Sequence, residues 1–190
     1  MKLTSTFVFI ASVITLVVAS TASDVIADIK LITSGATALD NAVNVFPTTG
    51  GTLLAALTIH TDAQSLSTTI VKATTDAKNA SPKPFSESDA STVIKALQAL
   101  EPIVTDVLKG VVVKKAALNA LPIGGIVAFI KQDLNLLSAD TTALAAAVDA
   151  VMPVRIIWLL GSDFYRWLMF PWLIKNDVAA AFDSAIAAYA

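Results

Sequence analysis

Apolar residues recur at alternating spacings of four and three along several long stretches of this chain, and no cysteine occurs anywhere in it. The clearest run is Ile130, Leu134, Leu137, Thr141, Leu144, Val148 and Val151. At 3.6 residues per turn these positions fall on one helical face. A stripe of that length is not left in water, so each helix must lay it against its neighbours or against something apolar that the protein binds. Without disulfides, the stability of the fold has to come from helix packing alone.

The N-terminus reads as a secretory signal. Lys2 precedes an apolar run from Phe7 to Ala19 broken only by Ser12 and Thr15, and the small residues Ser20, Thr21, Ala22 and Ser23 follow. The run is short for a membrane span, which favours cleavage between Ala19 and Ser23 over a retained anchor. Residues 1–22 are therefore assigned to a signal peptide and 23–190 to one exported domain. That length supports one sizeable core but not two comfortable ones. Without Lys2 the chain holds 12 basic against 15 acidic residues. Nucleic acid, which requires a basic face, is thus excluded as a partner. The absence of cysteine also excludes hydrophobins.

The expected class is all-α, an up-and-down bundle of about five amphipathic helices. The first starts with Asp24 as N-cap and runs to about Val45, ended by Pro47 and Gly50-Gly51. A second spans about Thr52 to Lys78, and a Pro82/Pro84 loop separates it from a third that begins at Ser86 or Ser88. Pro102 should kink or split the third helix near Leu100. The fourth follows the Leu121 to Gly125 break and reaches about Val151; the last covers Asp177 to Tyr189. The large stripe residues Ile29, Ile32, Leu39, Leu66, Ile70, Leu97, Val104, Leu108, Ile130, Leu134, Leu137 and Leu144 should point inward. They would line a lipid cavity or fill a dry core, and either purpose uses the same residues.

From Asp24-Val25-Ile26-Ala27-Asp28-Ile29, through Lys114-Lys115, to the closing Ala181-Phe182-Asp183-Ser184-Ala185-Ile186-Ala187-Ala188-Tyr189, the chain resembles the fungal hydrophobic surface-binding protein A family. It is also similar to the related cell-wall galactomannoproteins. The resemblance covers nearly all of Asp24 to Met152 and again Asp177 to Tyr189. It implies a secreted helical protein that adsorbs to hydrophobic surfaces and recruits secreted hydrolases there, with some relatives enclosing a fatty acid between their helices.

Residues Val154 to Ile174 break the pattern. All three tryptophans (Trp158, Trp167, Trp172) and both arginines (Arg155, Arg166) lie there, beside Phe164, Tyr165, Met169, Phe170 and Pro171. Three readings compete: a transmembrane helix, made costly by Arg155, Asp163 and Arg166 in mid-span; an interfacial anchor; and a short in-frame intron carried into the translated sequence. The compositional jump favours the intron.

Chemistry-bearing residues are sparse. His60 is the only histidine, which rules out a histidine pair within one chain; beside the stripe of the second helix it reads as a boundary residue. With no cysteine and a single histidine, zinc and copper sites are not expected, and no cofactor is implied. There is no G-x-S-x-G elbow and no phosphate-binding glycine loop, so no catalytic residue is assigned. The acidic residues read as solvated charge. Lys114-Lys115 reads as favourable charge near a helix C-terminus, with contact to a lipid carboxylate as the sharper alternative. Asn79-Ala80-Ser81 is an N-glycosylation sequon followed directly by Pro82.

These observations converge on a secreted, non-enzymatic bundle, extracellular or in the cell wall, that binds hydrophobic surfaces or long-chain lipids and fatty acids. The alternatives are a structural cell-wall mannoprotein without a ligand and a membrane-anchored helical protein that uses residues 154–174.

Overall fold

The computed structural model describes residues 19–122, 125–153 and 170–190, with side chains from 177 onward in the last stretch. Five helices account for nearly all of it: α1 (Ala22–Val45), α2 (Leu53–Asn79), α3 (Glu87–Asn119), α4 (Ile126–Asp149) and α5 (Phe170–Ala188).

Local chemistry accounts for most of their ends. Thr21, rather than Asp24, is the N-cap of α1: its hydroxyl accepts from the Asp24 backbone, and the Asp24 carboxylate accepts from the Thr21 N–H at 2.7 Å. Asp24 therefore occupies the third helical position of a capping box, which satisfies two end donors instead of one. Those two hydrogen bonds, the Thr21 side chain's first, hold the Asp24 carboxyl below its usual range. Thr52 caps α2 and Ser86 caps α3. Gly125 precedes α4 with φ of 105°, a left-handed conformation that glycine adopts without a Cβ penalty.

Two expectations about element bounds change. The third helix does not split, because α3 runs through Pro102 without interruption; that residue lies on the exposed side, where water can serve the carbonyl its ring leaves unpaired. The last helix begins seven residues before Asp177, so the backbone of Phe170 to Ile174 is helical and continuous with α5. The rest of the segment assigned to the anomaly, residues 154–169, lies outside the described residues, as does the signal up to residue 18. The described chain already uses Ser20, whose carbonyl accepts from Ser81 N at 2.8 Å and whose hydroxyl reaches Asp76 at 2.9 Å. A cleavage before Ser20 keeps these contacts and the α1 cap, whereas one after Ala22 removes them.

Directions alternate. Contacts of Asp28 with Lys72 and of Gly35 with Leu66 make α1 and α2 antiparallel. Pairs His60/Asp133 and Ser67/Asp140 make α2 and α4 parallel, the Phe85 to Val151 backbone bond sets α4 against α3, and Tyr189 bonded to Val111 aligns α5 with α3. Neighbours in space are not neighbours in the chain, however. Going round the molecule the order is α1, α2, α4, α5, α3, with α5 bridging α3 and α4, which touch each other only sparingly.

Burial follows the stripes. Val25, Ile29, Ile32, Ala36, Leu39 and Val43 on α1, and their counterparts on every other helix, form one continuous core with Phe46, Phe85 and Leu121 from the loops. Small residues let α1 approach both neighbours closely. An added Cβ at Gly110 of α3 would come within 2.7 Å of Val43 Cγ1, and one at Gly35 within 3.3 Å of Leu66 Cδ1. No described helix is long and apolar enough to cross a membrane.

Candidate lipid cavity

Five helices arranged as a ring cannot all meet at its centre. At ordinary interaxial spacings of about 8–10 Å the centre lies roughly 7–8.5 Å from each axis, while a helix with its side chains has a radius of about 5–6 Å. The inward side chains leave part of that centre open. A cavity of about 130 Å³ runs there, lined from all five helices.

Eleven of the twelve stripe residues named from the sequence border it: Ile32 and Leu39 on α1; Leu66 and Ile70 on α2; Leu97, Val104 and Leu108 on α3; Ile130, Leu134, Leu137 and Leu144 on α4. Ile29 does not. It is fully buried, but in the close-packed part of α1 away from the cavity wall. Residues outside those twelve complete the lining, among them Leu100 and Val107, one helical step round from the expected α3 positions, and Val178 and Phe182 on the apolar stripe of the last helix, with which α5 closes the gap between α3 and α4.

Polar lining is limited to Glu101, Asp133, Thr141 and Asp149. Asp133 is 3% exposed, against the expectation that acidic residues sit in solvent. Its burial is compensated by neighbours on α2: His60 Nδ1 lies 2.7 Å from Oδ2, and Gln64 Nε2 donates to Oδ1 at 2.6 Å. Two turns further on, Ser67 donates to Asp140 at 2.5 Å, so the α2/α4 seam carries a short polar ladder. The His60 ring also sits 5.6 Å from that of Phe129. His60 is thus a structural partner of α4, a role that sequence reasoning missed because its partner lies 73 residues away.

Asp28 likewise departs from the solvated reading. At 3% exposure it accepts from Lys72 at 2.7 Å through one oxygen, while the other finds no partner among the described residues. Desolvation raises its pKa. Lys72 also binds Asp76 at 2.7 Å and lowers that carboxyl's pKa. Neither lysine of the Lys114-Lys115 pair borders the cavity; Lys115 instead donates to the Ala188 carbonyl and lies 5.6 Å from the centre of the Tyr189 ring. Tyr189 donates to the Val111 carbonyl at 2.8 Å, and burial pushes its phenol well above the ordinary range. Asn79, the sequon residue, is exposed at the end of α2. Among the described residues no three acidic or histidine side chains are grouped to hold a metal ion.

Solved structures share this architecture. A crystal structure of AfMP4p in complex with palmitic acid superposes with a TM-score of 0.74 at 28% identity, covering 89% of this chain and 99% of that one. Ligand-binding domain 1 of the Penicillium marneffei MP1 protein, complexed with arachidonic acids, gives 0.72 at 16% identity over 89% of this chain and 99% of that domain. Domain 2 of the same protein, complexed with multiple arachidonic acids, gives 0.66 at 17% identity over 88% and 93%. At such identities the two MP1 domains speak to the fold alone. No curated protein matches the chain in sequence. The profile of the hydrophobic surface binding protein A family matches residues 22–150, from the first residue of α1 to the end of α4, and the chain belongs to that family.

Proposed function

We propose that this protein is a secreted carrier, without enzymatic activity, that holds a long-chain acyl lipid in the cavity at the centre of its helix ring. The observation that carries the reading is the cavity itself, an opening of about 130 Å³ whose wall is apolar apart from four residues. An acyl chain that enters it gains roughly 25 cal/mol for each Å² of apolar surface removed from water. Ile32, Leu39, Leu66, Ile70, Leu97, Val104, Leu108, Ile130, Leu134, Leu137 and Leu144 are the contacts proposed for it. The palmitic acid held by AfMP4p supports a single fatty chain as the ligand class. An extracellular or cell-wall location fits the N-terminal signal.

Mass spectrometry of a lipid extract from the purified secreted protein tests this directly. Co-purifying acyl lipid is the expected result; an empty extract, together with no uptake of added fatty acid, would overturn it in favour of a structural wall protein.

A second reading, adsorption to hydrophobic surfaces, is favoured by where the exposed apolar residues lie. Val45 is 83% exposed and Leu54 75%, and with Leu57, Val113 and Phe129 they cluster where α1 and α3 end and α2 and α4 begin. Changing Val45 and Leu54 together to Asp should reduce depletion of the protein onto hydrophobic beads without altering acyl uptake. Unchanged depletion would remove this end of the bundle as the contact surface.

A further inference from the structure

We propose that the secreted chain is released by cleavage of the Ala19–Ser20 bond, and that the α-ammonium freed at Ser20 becomes an ion-pair partner of Asp76. The proposal rests on the reading of the N-terminus as a secretory signal and adds to it one scissile bond and a role for the new chain end.

Spacing alone leaves two cuts. A small residue before the bond is supplied by Ala19, with Val17 two positions earlier, and equally by Ala22, with Ser20 two positions earlier. The fold separates the two products. Among the described residues the first one tied to the bundle is Ser20: its carbonyl accepts from Ser81 N at 2.8 Å, in the loop after α2, and its hydroxyl donates to Asp76 Oδ1 at 2.9 Å. Thr21 follows as the cap of α1, its N–H and hydroxyl donating to Asp24 Oδ2 at 2.7 and 2.8 Å. A cut after Ala22 discards all of these bonds and sets a positive charge at Ser23, in the first turn of α1, where the helix dipole is already positive. A cut after the exposed Ala19 keeps every one of them.

Hydrolysis adds water across the bond. The hydroxyl goes to the Ala19 carbonyl carbon, which leaves with the signal as a carboxylate, and Ser20 retains its nitrogen as an ammonium. That nitrogen is separated from the Ser20 hydroxyl oxygen only by Cα and Cβ, so it stays within reach of the Asp76 carboxylate that the hydroxyl already touches. The surroundings favour a cation. Asp76 and the buried Asp28 share one ammonium, Lys72, at 2.7 Å each, and Asp24 lies close enough for the charge of Asp76 to act on it. The second oxygen of Asp28 is buried with no partner among the described residues. Three carboxylates around one lysine leave this end of the α1/α2 seam short of positive charge, which the new chain end supplies.

Mass spectrometry of the N-terminal peptide, on the full chain passed through a eukaryotic secretory pathway, locates the cut. A start at Ser20 is the expected result. A start at any other residue up to Asp24 overturns the proposal and leaves the signal reading intact, whereas retention of the whole N-terminus removes the signal reading and this proposal with it. The ion pair is read from the rate at which a pulse of acetic anhydride acetylates the Ser20 amine, quantified on the same peptide. At about pH 7 the natural protein should react at least about threefold more slowly than Asp76→Asn, because a partnered ammonium holds its proton more tightly. At about pH 10 the two rates should converge, since both amines are then largely unprotonated, while slowing by mere shielding would persist. If Asp76→Asn does not fold, the natural protein in urea serves as the reference with the same expected ratios. A smaller ratio at the lower pH, or one unchanged at the higher, overturns the ion pair.

Discussion

The two sides of the helix ring are built differently. Around α1 the packing is closed: Gly110 and Gly35 bring α3 and α2 close, Ile29 and Val43 are wholly buried, and Lys72 ties α2 to the buried Asp28. Between α3 and α4 the packing is open, for these helices touch only sparingly and α5 spans them with Val178 and Phe182 above the cavity. The contrast shows that one sequence pattern serves two ends. An apolar stripe becomes solid core where small residues permit close approach, and cavity wall where a fifth helix holds its neighbours apart.

The largest effect should come from truncating equivalent side chains on the two sides. Ile29→Ala should destabilise by about 2–5 kcal/mol in a denaturant titration and leave acyl uptake unchanged. Leu134→Ala, already facing open space, forfeits fewer contacts; it should cost clearly less and weaken uptake. Equal losses of stability would erase the distinction between the two sides. Next in size, Gly110→Val should cost about 1–3 kcal/mol in the same titration, because the new side chain overpacks against Val43. A neutral outcome would mean that α1 and α3 are free to separate.

Filling the open side should act in the opposite direction. Ala63, on the cavity wall, becomes a plug when changed to Leu, which should raise stability by about 0.5–2 kcal/mol and depress uptake of a fluorescent fatty acid at least tenfold. Unchanged uptake would place the ligand elsewhere.

The smallest effect is the pH dependence of the closed side. Asp76, its pKa lowered by Lys72, contributes stability that is complete above the ordinary carboxylate range near pH 4 and is lost as pH falls through its folded value. Asp28, raised by desolvation, works against this: its contribution is complete at acid pH and fades as pH rises through its folded value. Lys72→Met removes the lowering of Asp76 and leaves Asp28 without its cation. Stability measured between pH 6 and 2.5 should therefore fall less steeply in the variant than in the natural protein. A steeper fall would contradict the assigned roles of the pair.

Much of the cavity wall was legible in the sequence, and the reason lies in helical periodicity. Residues such as Leu66, Ile70, Leu134 and Leu137 face inward because their spacing commits them to one side of a helix, whatever that helix packs against. Periodicity cannot tell a packed inward position from an open one, and so it grouped Ile29 with the cavity residues. It also missed Asp133 and Asp28, since a buried charge is tolerated only through partners supplied by another helix. Thr21 was missed for a more local reason, as Asp24 satisfies capping rules nearly as well when the residues before it are read as signal.

The sequence by itself determined the all-α class and the inward faces of the helices, because these follow from residue type and spacing along one chain. Which helices stand side by side was decided only by the tertiary structure. The order α1, α2, α4, α5, α3 depends on where glycine and alanine let backbones meet across the bundle. That order, which sets α5 between α3 and α4, is what leaves the centre of the ring open.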